Sequence, residues 1–508
     1  MLKTKLDFDT VFAKVRFLYL FVFAVFVTLN KFIFFQFVNA SFIATVYSGL
    51  AIFGAMLLAV DFFSKRYMFK VNYNGFLVLF FVAFVLSMIV NLRYGFVDNA
   101  KTLAWMLIQV FFLMAVPTDR SATDHLKELK IIANTFTLIW FVGAVWSFLE
   151  FLVQYSAVLQ IPGDNNCIEG FAVGRLFGVF TDPNVAAVCS MIAIVFSAFM
   201  LYNEKMGKVK KAYYIASIAF QAIYISLSGS RTGTLIVAAV VFMSAVLVFG
   251  LKFSARGMKR VKKVALTTLT AIMCVVFVVS SMEVTKFAMS YAPKFIEPVV
   301  SSIEDTLEIE FNEASDSEIA EKVDMTRPDV EGNEDISNAR FKIWTDSLKL
   351  FEKSPIVGTS PRNHLQFTKY HYGPEMYIYK RQYSVHNGYL SLLVYTGILG
   401  AVTMMLWIGF SLVKIVGYLI RRRHSQDEYY MPIAFFSMVL VIIGISAFPM
   451  MGIFFGNSVI ELIFWLIAGY TLCFIRKSEP DKNALPVTAK ISDKFFGLFK
   501  KSKVSENA

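Results

Sequence analysis

Apolar residues run in blocks along most of the chain, separated by short polar stretches. The blocks approach the roughly 20 residues a helix needs to cross the hydrocarbon core of a bilayer. Twelve such runs stand near residues 17–36, 42–61, 75–92, 102–117, 131–154, 185–203, 212–228, 233–251, 264–282, 388–420, 430–449 and 455–475. They predict an all-α polytopic membrane protein. Nine spanning helices occupy residues 1–282, a large loop follows over 283–386, three more helices fill 387–475, and a tail covers 476–508. The tenth run is long enough to tilt or to extend past the headgroups.

The large loop is itself divided by composition. From Glu297 to Asp335 it holds 14 acidic residues against Lys322 and Arg327, which points to a flexible segment. Beyond it, "ISNARFKIWTDSLKLFEKSPIVG" carries Phe341, Ile343, Trp344, Leu348 and Phe351 at helical spacing. Ser337 or Asn338 serves as N-cap and Pro355 and Gly358 as stop signals, so a helix is predicted over 337–354.

Composition supports the membrane reading: 57% of the 508 residues are hydrophobic and 17% charged, where soluble domains carry about a quarter charged. Lys and Arg then orient the bundle, because basic residues are retained on the cytoplasmic side. One alternating set of connections, with the N-terminal tail, holds 23 basic residues and the other short loops hold five, so both termini are expected in the cytoplasm and the large loop outside. The same loops account for the net charge of +12, which needs no nucleic-acid partner. The four cysteines are dispersed and imply neither a metal nor a disulfide framework. Lys3, Lys5, Lys14 and Arg16 precede the first run without a convincing cleavage site, which predicts an uncleaved helix rather than a signal peptide. In the tail, "ISDKFFGLFKKSK" places Ile491, Phe495, Leu498 and Phe499 on one face among lysines; it reads as an interfacial helix or as a disordered solubilising tail.

The informative polar residues are those that break the orientation rule. Arg231, in "SLSGSRTG" beside Ser230, sits where the eighth run begins on the lysine-poor side. A helix N-terminus disfavours a cation, so Arg231 faces something anionic or snorkels to lipid phosphate. Arg175, in "GRLFGVFTDPNVAA", precedes a turn through Asp182, Pro183 and Asn184 that caps the sixth span. Arg340 lies on the loop helix, and Arg362 follows in "GTSPRNH". Guanidinium groups bind phosphates in a planar, bidentate manner. His386 and Asn387 stand at the entrance of the tenth run, where Asn387 can bond an imidazole or a hydroxyl. Gly397 and Gly400 permit close approach of neighbouring helices.

Taken together, the twelve runs, the late outer loop, "SGSRTG", "NARFKIW…SPIVG" and "HNGYLSLLVYTGILG" resemble the bacterial O-antigen ligase and polymerase superfamily. His386, Asn387, Gly397 and Gly400 fit its pattern H-[N/S/Q]-x9-G-x-x-G. The resemblance implies an all-helical glycosyltransferase acting on the outer face of the cytoplasmic membrane. Its expected partners are a polyprenyl-diphosphate-linked oligosaccharide, a growing glycan acceptor, membrane lipid and, as a candidate, a chain-length regulator protein, with no cofactor and no metal. It implies His386 as the catalytic base, Arg231 and Arg340 as diphosphate ligands, and Arg175 as a substrate-binding residue, with Asn387, Ser230 and Asn184 supporting. Polymerisation of lipid-linked repeat units is the leading expectation. Ligation to another acceptor, or a flippase or transporter, are the alternatives.

Overall fold

The computed structural model describes residues 8–117, 120–161, 166–307, 322–327, 339–423, 427–450 and 453–479. Much of the acidic stretch (308–321 and 328–338, with the expected N-cap at 337–338) and the tail from 480, including 491–499, lie outside the described residues.

The first half runs through α1 (Phe8–Leu29), the single turn α2 (Ile33–Gln36), α3 (Ala40–Phe63), α4 (Asn74–Val90), α5 (Val97–Ile108) and α6 (Ala122–Leu152). Three strands follow, β1 (Ser156–Gln160), β2 (Asn166–Ala172) and β3 (Arg175–Gly178). Helices resume with α7 (Pro183–Asn203), α8 (Lys208–Leu227), α9 (Arg231–Ala255), α10 (Arg260–Met289) and α11 (Ala292–Leu307). The large loop contributes α12 (Arg340–Lys353), α13 (His364–Tyr372) and the short α14 (Tyr377–Lys380). Then come α15 (Gly388–Arg422), α16 (Tyr430–Ser446) and α17 (Val459–Ser478).

Each of the twelve apolar runs falls on helix. Among the described residues eight stretches are long and apolar enough to cross a membrane: α1, α3, α6, α7, α9, α10 continuing into α11, α15 and α17. The runs on α4 and α16 form shorter apolar helices. The other two fall on α5, continued by π-helical Gln109–Leu113, and on α8, whose first turn carries Lys208, Lys210 and Lys211. Helix α17 is apolar all round and sits at the centre, every residue from Val459 to Ile475 being buried. Gly469 lets the Met114 carbonyl close on it, since a Cβ there would come to 2.3 Å of that oxygen. Close approach through small residues is how helices pack where lipid removes the hydrophobic drive.

The all-α expectation needs correction: the chain is mostly helical but holds a three-stranded antiparallel sheet in the order β1-β2-β3. Its strands are short, and β1 and β3 alternate between more and less exposed positions, while β2 is irregular at Gly170–Phe171; twenty-residue windows average such a pattern away. Val173 and Gly174 form the two-residue β2–β3 turn, both with positive φ (47° and 68°), the geometry that suits the twist of a hairpin. The sheet leads to Asp182, whose Oδ1 accepts from Asn184 N (2.7 Å) and so caps α7.

Two further expectations change. Helix α12 begins at Arg340, but its buried face is Ile343, Asp346, Ser347 and Leu350, while Phe341 and Leu348 are exposed. Asp346 turns inward because its carboxylate accepts from Ile378 N at 3.3 Å, ordering the start of α14. In α15 the glycines do not admit a neighbouring span. Gly397 breaks the helix (φ 62°, ψ −168°), and the loop 355–360 docks in the break. Ile398 N donates to Pro355 O (2.9 Å), Thr359 N to Val394 O (2.9 Å) and Ser360 N to Tyr395 O (3.0 Å). Asn91 Nδ2 on α4 fixes the same loop through Gly358 O (2.9 Å).

Candidate functional site

His386 stands immediately before α15 in a left-handed conformation (φ 50°). Such backbone is sparsely populated by non-glycine residues, though histidine tolerates it better than most. It recurs where surrounding structure over-determines a functional side chain. Asn387 then caps α15, its Oδ1 accepting from Tyr389 N (3.0 Å) and Leu390 N (2.9 Å), and Gly388 N donates to Ala447 O (2.7 Å). The Asn387 carbonyl oxygen is thus spent on the helix rather than on the imidazole. Tyr383 packs edge-on to the His386 ring (centroids 5.5 Å apart). Neither ring nitrogen of His386 has a hydrogen-bond partner among the described residues. His364, on the same cavity wall, differs: its two nitrogens face Pro361 O (3.2 Å) and Tyr383 O (3.3 Å).

The cavity that His386 lines measures about 550 Å³. It gathers the C-terminal ends of α1 and α16 with the N-terminal ends of α7, α15 and α17. Asp182, Lys31, Arg362 and Glu461 share its wall. Glu461, buried, closes the N-terminus of α17, accepting from Gly456 N (2.7 Å) and Ser458 N (2.9 Å).

Arg340, Arg231 and His386 form an electrostatic chain. Burial, and after it the neighbouring Arg340 guanidinium, hold the His386 imidazole below its ordinary range, opposed by Asp182. Arg340 is in turn depressed by burial and by Arg231, again opposed by Asp182. Arg340 is half-buried as the first residue of α12, and Arg231 is exposed as the first residue of α9. Burial and the Arg340 charge both favour the neutral imidazole, the form that can accept a proton.

Arg175 belongs to an adjoining network. Its Nε donates to Ser228 O (2.9 Å) and its Nη2 to Asn184 Oδ1 (3.1 Å), and the guanidinium lies 5.6 Å from the Phe177 ring centroid. Ser230 Oγ donates to the same Asn184 oxygen (3.0 Å) and caps α9 by accepting from Gly233 N (3.1 Å). Asn184, Ser230 and Arg175 thus lock β3, the start of α7 and the turn before α9 together, and that turn presents Arg231.

One cation was hidden in the sequence. Arg327, counted only within the acidic stretch, donates from Nη1 to Gly229 O (2.5 Å) and lines a pocket of about 230 Å³ with Arg231, Lys286 and Glu283. The segment 322–327 is held by buried Val323, whose N donates to Ser290 O (2.9 Å), and by Lys286 Nζ on Met325 O (3.2 Å). Gly174 makes room for it, since a Cβ there would come within 1.9 Å of Thr326 O. The only signal in the sequence is a run of K-V-D-M-T-R among carboxylates, with Val323 and Met325 spaced to bury.

Among the described residues no group of three or more His, Cys, Asp or Glu side chains is arranged to hold a metal ion. Glu150, near the end of α6, lies buried against β2 near Glu169.

Residues 216–405 match the family model Wzy_C, described as O-antigen ligase. That span begins within α8 and ends within α15, and it contains Ser230, Arg231, Arg327, Arg340, His386 and Asn387. No curated protein matches the chain.

Proposed function

We propose a reaction from one premise: residues 216–405 place the chain in the O-antigen ligase and polymerase superfamily. It is a multi-pass membrane protein of polysaccharide biosynthesis, and its family carries out membrane glycosyl transfer. Our reading is that it polymerises polyprenyl-diphosphate-linked repeat units on the outer face of the cytoplasmic membrane. The twelve helical runs all span in this reading, with both termini inside. The observation that supports it is that the charge of Arg231 acts on Arg340 and the charge of Arg340 on the open imidazole of His386.

In this mechanism His386 removes the proton from an acceptor hydroxyl while the oxygen attacks the anomeric carbon of the donor. The bond from that carbon to the phosphate oxygen breaks, and its electron pair leaves with the diphosphate. Arg231, Arg340 and Arg327 hold the departing charge, and Arg175 positions the turn that carries Arg231. Fixed charges of this kind contribute about 10²–10³ in rate each, and a positioned base about 10²–10⁴.

His386→Ala and Arg231→Ala are expected to give stable protein and cells without long glycan. Full-length polymer from either variant removes that residue from the mechanism. The family model's description as a ligase favours one second reading, transfer to a different acceptor. A gel of surface glycan from a deletion strain separates the two: single-unit glycan marks a polymerase, and long chains held on the carrier mark a ligase.

A further inference from the structure

The cavity beside His386 continues outward. A groove of about 330 Å³, walled by Trp105, Thr102, Asp98 and Lys101, shares Arg362, Phe455, Gly456 and Asn457 with it. Arg362 stands at the seam. Its Nε donates to Thr102 Oγ1 (3.0 Å) and its backbone N to Asn99 Oδ1 (3.0 Å), while Nη1 and Nη2 have no hydrogen-bond partner among the described residues.

The donors and acceptors of this wall are unbalanced. Its carboxylates are engaged: Asp182 and Glu461 accept from the N–H groups at the starts of α7 and α17, and Asp98 pairs with Lys101 at 3.1 Å. Of the cations, Lys101 is taken by Asp98, whereas Lys31 Nζ and the Nη1 and Nη2 groups of Arg362 have no hydrogen-bond or ion-pair partner among the described residues, the Arg362 charge acting on the Glu461 carboxylate without a direct bond. Three helix N-termini, those of α7, α15 and α17, meet here with two C-termini, those of α1 and α16, so the helix ends leave one positive end in excess. Trp105, stacked on Phe23 (centroids 5.1 Å apart), and the mostly buried Phe455 line the groove, apolar rings of the kind that pack on the C–H face of a pyranose. The wall therefore fits a ligand that is sugar-like in shape and rich in anionic acceptors. It differs from the smaller pocket of Arg231, Arg327 and Lys286, where three cations stand with the single carboxylate of Glu283.

We propose that the cavity and groove joined at Arg362 bind an acidic saccharide, the acceptor, with a carboxylate or phosphate substituent on Arg362 and the reacting hydroxyl at His386. A guanidinium meets either substituent with two parallel N–H donors, which a lysine does not reproduce. This assignment rests on the glycosyl-transfer reading for the word acceptor, but binding itself does not require turnover.

The test uses the full chain in lipid nanodiscs. The probe is the oligosaccharide released by mild acid from the producing strain's lipid-linked pool, in three forms: untreated, carboxyl-reduced with carbodiimide and borohydride, and dephosphorylated with aqueous hydrogen fluoride. One treatment is expected to weaken binding to the wild type at least tenfold, and which one identifies the substituent. Arg362→Ala should bind the untreated probe no better than the wild type binds the treated one, and Arg362→Lys should fall between. Lys31→Ala serves as a second variant should Arg362→Ala not fold, with a smaller loss of the same sign. The proposal is overturned when neither treatment matters, or when the Arg362 and Lys31 variants bind as the wild type does. It is equally overturned when Arg362→Ala loses undecaprenyl diphosphate as severely as Arg231→Ala, which would make the groove part of the donor site. Full polymer from His386→Ala, by contrast, would remove the transfer reading and leave this binding result standing.

Discussion

Gly397 is the position where one methyl group should do most damage. Its φ of 62° with ψ of −168° is backbone that side chains avoid, and a Cβ there would lie 2.2 Å from Ile356 O and 2.5 Å from Val357 N. Strained backbone of this kind costs about 1–3 kcal/mol. Relieving the overlap also requires loop 355–360 to withdraw, and with it the bonds from Ile398 N to Pro355 O and from Thr359 N to Val394 O, each worth about 1 kcal/mol. The local cost of Gly397→Ala is then about 3–5 kcal/mol. At about 1.4 kcal/mol per tenfold, amides of residues 359, 360, 398 and 399 should exchange with deuterium roughly a hundred to a few thousand times faster in nanodiscs. Gly409→Ala, on the same helix with nothing within 4 Å of its Cβ, is the control and should leave protection unchanged or slightly raised. Equal exchange in Gly397→Ala and wild type would show that the helix break does not depend on glycine, and the docking argument would fail.

Three other perturbations follow from the site. Arg340→Gln removes a cation that depresses His386, so the imidazole pKa rises and the acidic limb of log(kcat/KM) moves to higher pH, by about one unit for each 1.4 kcal/mol of lost repulsion; an unmoved limb means His386 does not titrate in catalysis. Arg327→Ala should weaken donor binding about tenfold, equivalent to about 1.4 kcal/mol, and shrink the thermal stabilisation that undecaprenyl diphosphate confers; equal stabilisation of both proteins would make Arg327 a structural pin only. Asn387→Ala should cost about 1 kcal/mol as a lost helix cap, read by thermal melting in detergent, whereas Asn387→Asp keeps the cap; a stable but inactive Asp variant would instead assign the amide nitrogen a role in substrate binding.

What was legible in the chain was what local periodicity encodes. Twenty-residue apolar blocks specify helices because lipid leaves backbone amides no partner outside the segment, and all twelve blocks are helical. Arg231, Arg340 and His386 stood out by charge and motif, and the charge of Arg231 acts on Arg340 as that of Arg340 acts on His386. What failed depended on distant partners. Gly397 looks like a packing glycine until loop 355–360 is seen in its place. Phe341 looks buried by spacing, yet the inward face of α12 is chosen by Asp346 bonding to α14. Arg327 was hidden most completely, because an acidic run advertises solvation, while Val323 and Lys286 bind its six-residue core to the bundle.

That tether also gathers charge of one sign. Arg231, Arg327 and Lys286 share one pocket, and burial, with Arg231 after it, disfavours the charged form of Arg340. Like charges held this close oppose the folded state unless something anionic intervenes, and Asp182 supplies only part of that, since its Oδ1 caps α7. Glu283, on the wall of that pocket, sets one carboxylate against its three cations. A diphosphate, the leaving group proposed above, brings the missing charge into contact with them. The arrangement thus keeps the cations assembled while leaving their strongest interaction to the ligand, which is the condition for electrostatic groups to act on a leaving group without first reorganising.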